Sequence, residues 1–157
     1  MSIQGLRKLQ VWERAQGFAL KIYKQVLPSL PVEEKWNLNQ QLRRSSLSIS
    51  ANIAEGYGRF NYQDNVRFCY NARGSLEETL SHLAFSFEAN FIPEAIYHEL
   101  EKEGEEIEKM LNGYIGFLKK SKQGANEPGA GPSVEEETAE YETESFINSD
   151  GPEATTL

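Results

Sequence analysis

The sequence predicts an all-α protein, an antiparallel up-and-down four-helix bundle. Apolar residues recur at steps of three and four through four long stretches, the period of a helix with one buried face. Each stretch runs about 20–28 residues, roughly 30–40 Å of helix. Short runs containing Pro, Gly or Asn separate them, and short connections make consecutive helices antiparallel neighbours.

Residues 1–8 read as an N-terminal arm. The first helix is expected from about Leu9 to Leu27, its stripe formed by Trp12, Ala15, Ala19, Ile22 and Val26, with Phe18 and Tyr23 widening it. Pro28 and Pro31 should end it, because proline lacks an amide hydrogen and restricts the residue before it. The second helix, from near Glu34–Leu38 to Tyr57, places Leu38, Leu42, Ile49 and Ile53 inward. Ser45, Ser46, Ser48 and Ser50 are unusual in a helix interior and fit close packing with hydroxyls bonded to the preceding turn. Gly56 and Gly58 read as the stop. Asn61 caps a third helix from Tyr62 to about Asn90, with Asp64 in its first turn and a stripe of Cys69, Ala72, Leu76, Leu80, Leu83 and Phe87. Phe68, Ala84, Phe85 and Phe91 add a second apolar edge, which predicts burial against a neighbour as well as within the bundle. Pro93 opens a fourth helix that carries Ile96, Leu100, Ile107, Leu111, Tyr114 and Leu118 to about Lys120, weakened at Gly104.

The net charge of −8 hides a division. All 16 Lys and Arg lie in residues 1–122 beside 15 acidic residues, a balance of +1. Residues 123–157 hold 9 acidic residues and no basic ones. This gives three parts: the arm, a near-neutral bundle domain over 9–122, and an acidic segment over 123–157. The last is rich in Gly and Pro and too poor in large apolar groups to offset its ordering entropy, so it is expected to be disordered. A short docking segment over Tyr141–Ile147 is the alternative. Such a segment should also compete with phosphate for a basic surface. One cysteine, Cys69, excludes a disulfide framework, and there is neither a membrane-length apolar run nor a signal-peptide pattern, so a cytoplasmic location is expected.

Two segments, Ser48–Gly56 and Ala72–Glu78, mix small residues with polar ones inside helical sequence. They are expected to face each other, with Asn52, Glu55, Arg73, Ser75 and Glu78 in a shared polar network. A cationic constellation, Arg43, Arg44, Arg59, Arg67 and Arg73, is interleaved with Tyr57, Phe60, Tyr62 and Tyr70. Arginine suits phosphate and aromatic rings can stack on bases. Arg43, Arg44, Arg59, Arg67 and Tyr62 are therefore the candidate nucleic-acid-binding residues. Arg73 also fits an internal pair with Glu55 or Glu78.

No pattern announces catalysis. A carboxylate-bridged dimetal bundle needs Glu-x-x-His, but Thr79 and Ala95 stand three residues before His82 and His98. Cys69 lies on an apolar stripe, the serines lack a recognisable base, and Gly56-Tyr57-Gly58 lacks the lysine and strand of a phosphate loop. No catalytic residue, metal or cofactor is expected.

Gln41-Leu42-Arg43-Arg44-Ser45, then Ser48 through Gly56, then Arg67-Phe68-x-Tyr70-x-Ala72-Arg73-Gly74-Ser75-Leu76-x-Glu78 resemble the signature of the four-helix bundle proteins encoded in intervening sequences of bacterial 23S ribosomal RNA genes. Leu9-x-Val11-Trp12-x-x-Ala15 and Met110-Leu111-Asn112-Gly113 match as well, and the resemblance spans about residues 6–120. The family pattern often has Ala and Pro where this chain has Ser46 and Ser50. The same family includes the accessory variability determinant of diversity-generating retroelements. The resemblance implies a homopentameric barrel of four-helix protomers that binds RNA or DNA and a reverse transcriptase, without catalysis of its own. The expected function is thus a non-enzymatic, homo-oligomeric accessory protein engaging nucleic acid or a nucleoprotein partner. The alternative is a protein–protein interaction scaffold with no nucleic-acid role.

Overall fold

The structure, a computed structural model, describes residues 3–126. Among them the regular elements are all helical: α1 (Ile3–Arg7), α2 (Gln10–Lys21), α3 (Leu38–Gly58), α4 (Tyr62–Glu88) and α5 (Glu94–Ser121), with short helical turns between α2 and α3. They pack as a helical bundle around a core that includes Phe18, Ile22, Leu42, Ile49, Ile53, Leu76, Leu83, Leu100, Ile107 and Leu111. No described helix is long and apolar enough to cross a membrane. The expected acidic disordered segment and the Tyr141–Ile147 alternative fall on residues outside those described, apart from Gln123–Asn126.

The first helix departs from expectation at both ends. Residues assigned to an arm form the short α1. The regular winding of α2 stops at Lys21, and Ile22–Val26 continue as a wider π turn. Pro28 and Pro31 follow in the tight turns that lead to α3. The change of winding thus precedes the prolines, and Ile22, Val26 and Leu27 stay buried through it. The cap at Asn61 forms as predicted, its side chain accepting from the Gln63 amide at 2.8 Å. Pro93 is the residue just before α5, in an extended conformation.

The seam between α3 and α4 explains the serine-rich stretch. Ser46, Ser48 and Ser50 bond to the carbonyls of Arg43, Arg44 and Leu47, within their own helix. Ser45 and Thr79, both fully buried, meet across the seam with their hydroxyl oxygens 2.9 Å apart. Thr79 also lies 2.8 Å from the Ser75 carbonyl. One proton serves one acceptor, so Ser45 donates to Thr79 when Thr79 donates to that carbonyl. Gly56 is not a stop signal. It is buried, and a Cβ there would lie 2.7 Å from Asn65 Oδ1 and 2.9 Å from Phe68 Cβ. Gly104 plays the same part in α5, where a Cβ would fall 2.7 Å from Leu80 Cδ2. Small residues let the backbones approach.

Arg14 pairs with Glu106, and Lys21 with Glu99 at 2.9 Å and with Glu103. These ion pairs tie α2 to the first half of α5. The second half of α5 returns to the turn between α3 and α4. There the Tyr62 amide donates to the Gln123 carbonyl at 2.9 Å, and Gly124, at φ +77°, sits against Phe60. Gln123–Asn126 therefore turn back onto the bundle.

Candidate nucleic-acid interface

The predicted polar network does not assemble. Asn52 donates to the Ser48 carbonyl at 2.8 Å, and Glu55 accepts from Arg59 one turn on. Both stay on α3. Arg73 turns the other way, donating to Asn112 Oδ1 of α5 at 2.9 Å, and so meets neither Glu55 nor Glu78. Glu78 pairs with Arg44 across the α3–α4 seam. Ser75 contributes its backbone carbonyl to Thr79. The faces do oppose each other, but their buried contact is Ser45–Thr79. The longer polar side chains reach outward to partners at the rim, where they keep their hydration.

The predicted arginines are exposed but divided between two places. Arg43 and Arg44 lie on α3 well before its end at Gly58, roughly 20 Å along the helix from Arg59. Arg43 donates to Asn39 at 2.7 Å and lies over the Tyr23 ring. Arg44 is held by Gln41 and Glu78. At the α3–α4 turn, Arg59 pairs with Glu55 and lies over the Phe68 ring, and Arg67 pairs with Asp64. Tyr62 is a correction: it is 7% exposed and packs with Val66, Cys69, Ile115 and Leu118 in a second, smaller core. Its ring cannot stack on a base. Ile115 and Leu118 of α5 cover it, a contact that no local pattern in the sequence signals.

What the fold adds to Arg59 and Arg67 is the end of α5. Lys119, Lys120 and Lys122 arrive there, and sequence reasoning missed them because three lysines at a helix C-terminus already complement the helix dipole. Lys119 Nζ lies 5.7 Å and Arg73 Cζ 5.1 Å from the centroid of the same ring, Tyr70. Among the described residues the acids beside these arginines are Glu55 and Asp64, each already paired with one of them. Arg73, Lys120 and Lys122 add cationic charge there. Along α5 the charge is unevenly distributed: Glu94, Glu99, Glu101, Glu103, Glu105, Glu106 and Glu108 precede Lys109 with Lys102 alone among them, and no acid follows Lys109 before Lys122. We call the α3–α4 turn with the α5 C-terminus the basic end.

The remaining chemistry is quiet. Burial pushes the Cys69 thiol up to about 12, and its Sγ lies 3.6 Å from Asn65 Oδ1, so no reactive thiolate forms near neutrality. Burial also raises Tyr114, while Asn65 donates to its hydroxyl oxygen at 3.2 Å. His82 lies 3.5 Å from Glu78, and exposed His98 lies between Glu94 and Glu101. Glu101 first, then Glu94, raises the pKa of His98. Among the described residues no group of three or more His, Cys, Asp or Glu side chains is disposed to hold a metal ion.

Residues 7–113 match the family of 23S rRNA-intervening sequence proteins. The chain belongs to this family. The crystal structure of a protein of unknown function from the S23 ribosomal protein family of Bacteroides thetaiotaomicron is similar, at a TM-score of 0.62 and 26% identity. The likeness covers 67% of this chain and 97% of the Bacteroides protein. No curated protein matches. Arg43, Arg44, Arg59, Arg67 and Arg73 fall inside the part of the chain matched to the 23S rRNA-intervening sequence family. Lys119, Lys120 and Lys122 fall beyond it, so the basic end combines family residues with this chain's own.

Proposed function

We propose that this member of the 23S rRNA-intervening sequence family is a non-enzymatic accessory protein that binds nucleic acid, or a nucleoprotein partner, through the basic end. The observation that carries this reading is the convergence of Arg73 and Lys119 on Tyr70, beside Lys120, Lys122, Arg59 and Arg67. Phosphate is the ligand such a surface suits: guanidinium and ammonium groups contact it, and releasing its counterions drives binding. Arg43 and Arg44 form a second, smaller cationic place on α3. In this reading the helices form an antiparallel up-and-down four-helix protomer, and protomers assemble into a homopentamer that repeats the basic end around a ring. Ribosomal RNA and a reverse transcriptase are the partners the family resemblance suggests, the chain acts in the cytoplasm, and no metal or cofactor takes part.

A second reading is supported by a different surface. Val32 and Trp36 are 78% and 73% exposed in the connection before α3, and Leu20 and Leu47 border an apolar groove with Gln16, Ala19 and Tyr23. Exposed aromatic and aliphatic groups of this kind favour a protein partner. Filter binding to structured RNA and duplex DNA over a salt series separates the two. Affinity that falls steeply with salt is expected for the nucleic-acid reading. No binding at low salt would leave the scaffold.

A further inference from the structure

The last described residue, Asn126, follows directly on the turn that Gln123 and Gly124 make against Phe60, Asn61 and Tyr62. The chain therefore leaves the bundle at the basic end. What leaves it there is residues 127–157, with nine acidic residues and no basic ones. We propose that this acidic segment docks on the basic end of its own chain and competes there with polyanions. The proposal rests on the function inferred above and adds the regulation of the same surface.

Charge, distance and apolar chemistry agree. For the 31 residues that follow Asn126, a random-coil tether would span about 30 Å, a length that would keep its charges near the anchoring surface at roughly millimolar effective concentration. Close to the anchor stand Arg59, Arg67, Arg73, Lys119, Lys120 and Lys122. At the far end of α5 stand seven glutamates, three of them paired with Arg14 and Lys21, a stretch that offers an acidic segment no surplus of cations. With a Debye length of about 8 Å at physiological salt, the near charges decide. Within the acidic run lie Tyr141, Phe146 and Ile147. At the basic end, Phe60 and Phe117 are 54% and 63% exposed, rings that the fold leaves uncovered beside the cations. Acids flanked by aromatic side chains on one partner match cations flanked by exposed rings on the other, so the segment fits this end in two independent respects.

The test uses the full chain and needs no nucleic acid for its first arm. Backbone amide shifts are compared between the natural chain and a variant in which the nine acids of 127–157 become Gln or Asn, each at low and at high salt. The expected result is a set of shift changes confined to residues 59–73 and 117–124. They should appear on neutralisation, appear equally when the natural chain is taken to high salt, and be independent of protein concentration. Unchanged shifts at the basic end, or changes centred on 94–108, would overturn the proposal. Changes that grow with concentration would assign the segment to a neighbouring copy and overturn the intramolecular form. The second arm measures RNA affinity of the same two proteins at low salt, where neutralisation should tighten binding about tenfold. Shift changes without RNA binding by either protein would keep the docking and refute the nucleic-acid function. Equal RNA binding with unchanged shifts would keep the function and refute the docking.

Discussion

Along the α3–α4 seam, hydroxyls are satisfied by the helices that carry them. Ser46, Ser48 and Ser50 bond to their own turns, Ser45 meets Thr79, and Gly56 gives up a side chain so that Asn65 and Phe68 can approach. At the basic end, the side chains do the opposite. Lys119 and Arg73 share one ring, and Lys120 and Lys122 extend a cationic excess that Glu55 and Asp64, held by their own arginines, do not offset. Internal satisfaction makes a region stable and inert, whereas surplus charge on a firm base is what the proposed polyanion binding requires. The small core of Tyr62, Val66, Cys69, Ile115 and Leu118 supplies that base.

If the two regions are this distinct, stability and binding should separate under mutation. The largest effect on stability is expected at Gly56→Leu. The new side chain would drive into the Asn65 backbone, whose carbonyl oxygen lies 3.0 Å from the point a Cβ would occupy, and cost about 1–3 kcal/mol. Thermal melting checks it, and an unchanged midpoint would mean that α3 and α4 part easily. Alkaline pH should come next. Cys69 and Tyr114 both have raised pKa values in the fold, so their contributions are complete below the unfolded values near 9 and 10. The Cys69 contribution is lost as pH rises toward about 12, and the Tyr114 contribution as pH rises through its raised value. Stability that stays flat from pH 8 to 11 would show that this small core is open to water. Thr79→Val should cost about 1 kcal/mol by leaving Ser45 Oγ without its cross-seam partner, and Ser45→Ala added to it should cost little more. Additive losses in the double variant would deny the pairing. The smallest effect is the most discriminating. Lys122 ends α5 with φ at +46°, a left-handed conformation that glycine adopts freely. Lys122→Gly should leave the melting temperature unchanged or raise it slightly while weakening polyanion binding, so a fall in both would tie the two regions together.

The fold was legible because helical period is local. Leu38, Leu42, Ile49 and Ile53 mark one face of α3 whatever packs on it, and all four are buried. The site was less legible because it depends on which helix ends meet. Arg44 and Glu78 are 34 residues apart, and their pairing follows from the α3–α4 register. Tyr62 reads as a surface aromatic until α5 covers it, and Lys119, Lys120 and Lys122 read as a helix terminus until that terminus reaches the α3–α4 turn. Gly56 and Gly104 carried the weakest signal, because a glycine that ends a helix and one that admits a neighbour look alike in sequence. Arg73 shows the same limit. Its buried pairing with a glutamate would have predicted a loss of about 1–3 kcal/mol for Arg73→Ala. An exposed bond to Asn112 predicts about 1 kcal/mol or less.

The central claim is that the basic end is where polyanions bind. Its most direct test is a fluorescence-anisotropy salt series on structured RNA with three full-length proteins. They are the natural chain, a variant with Lys119→Gln, Lys120→Gln and Lys122→Gln, and a control with Glu99→Gln, Glu103→Gln and Glu106→Gln at the far end of α5. The account predicts that the lysine variant loses at least tenfold in affinity at low salt. Its plot of log affinity against log salt should flatten by roughly 0.7–0.9 for each phosphate contact removed, while the control binds at least as well as the natural chain. Equal affinity and equal slope in all three proteins would contradict it.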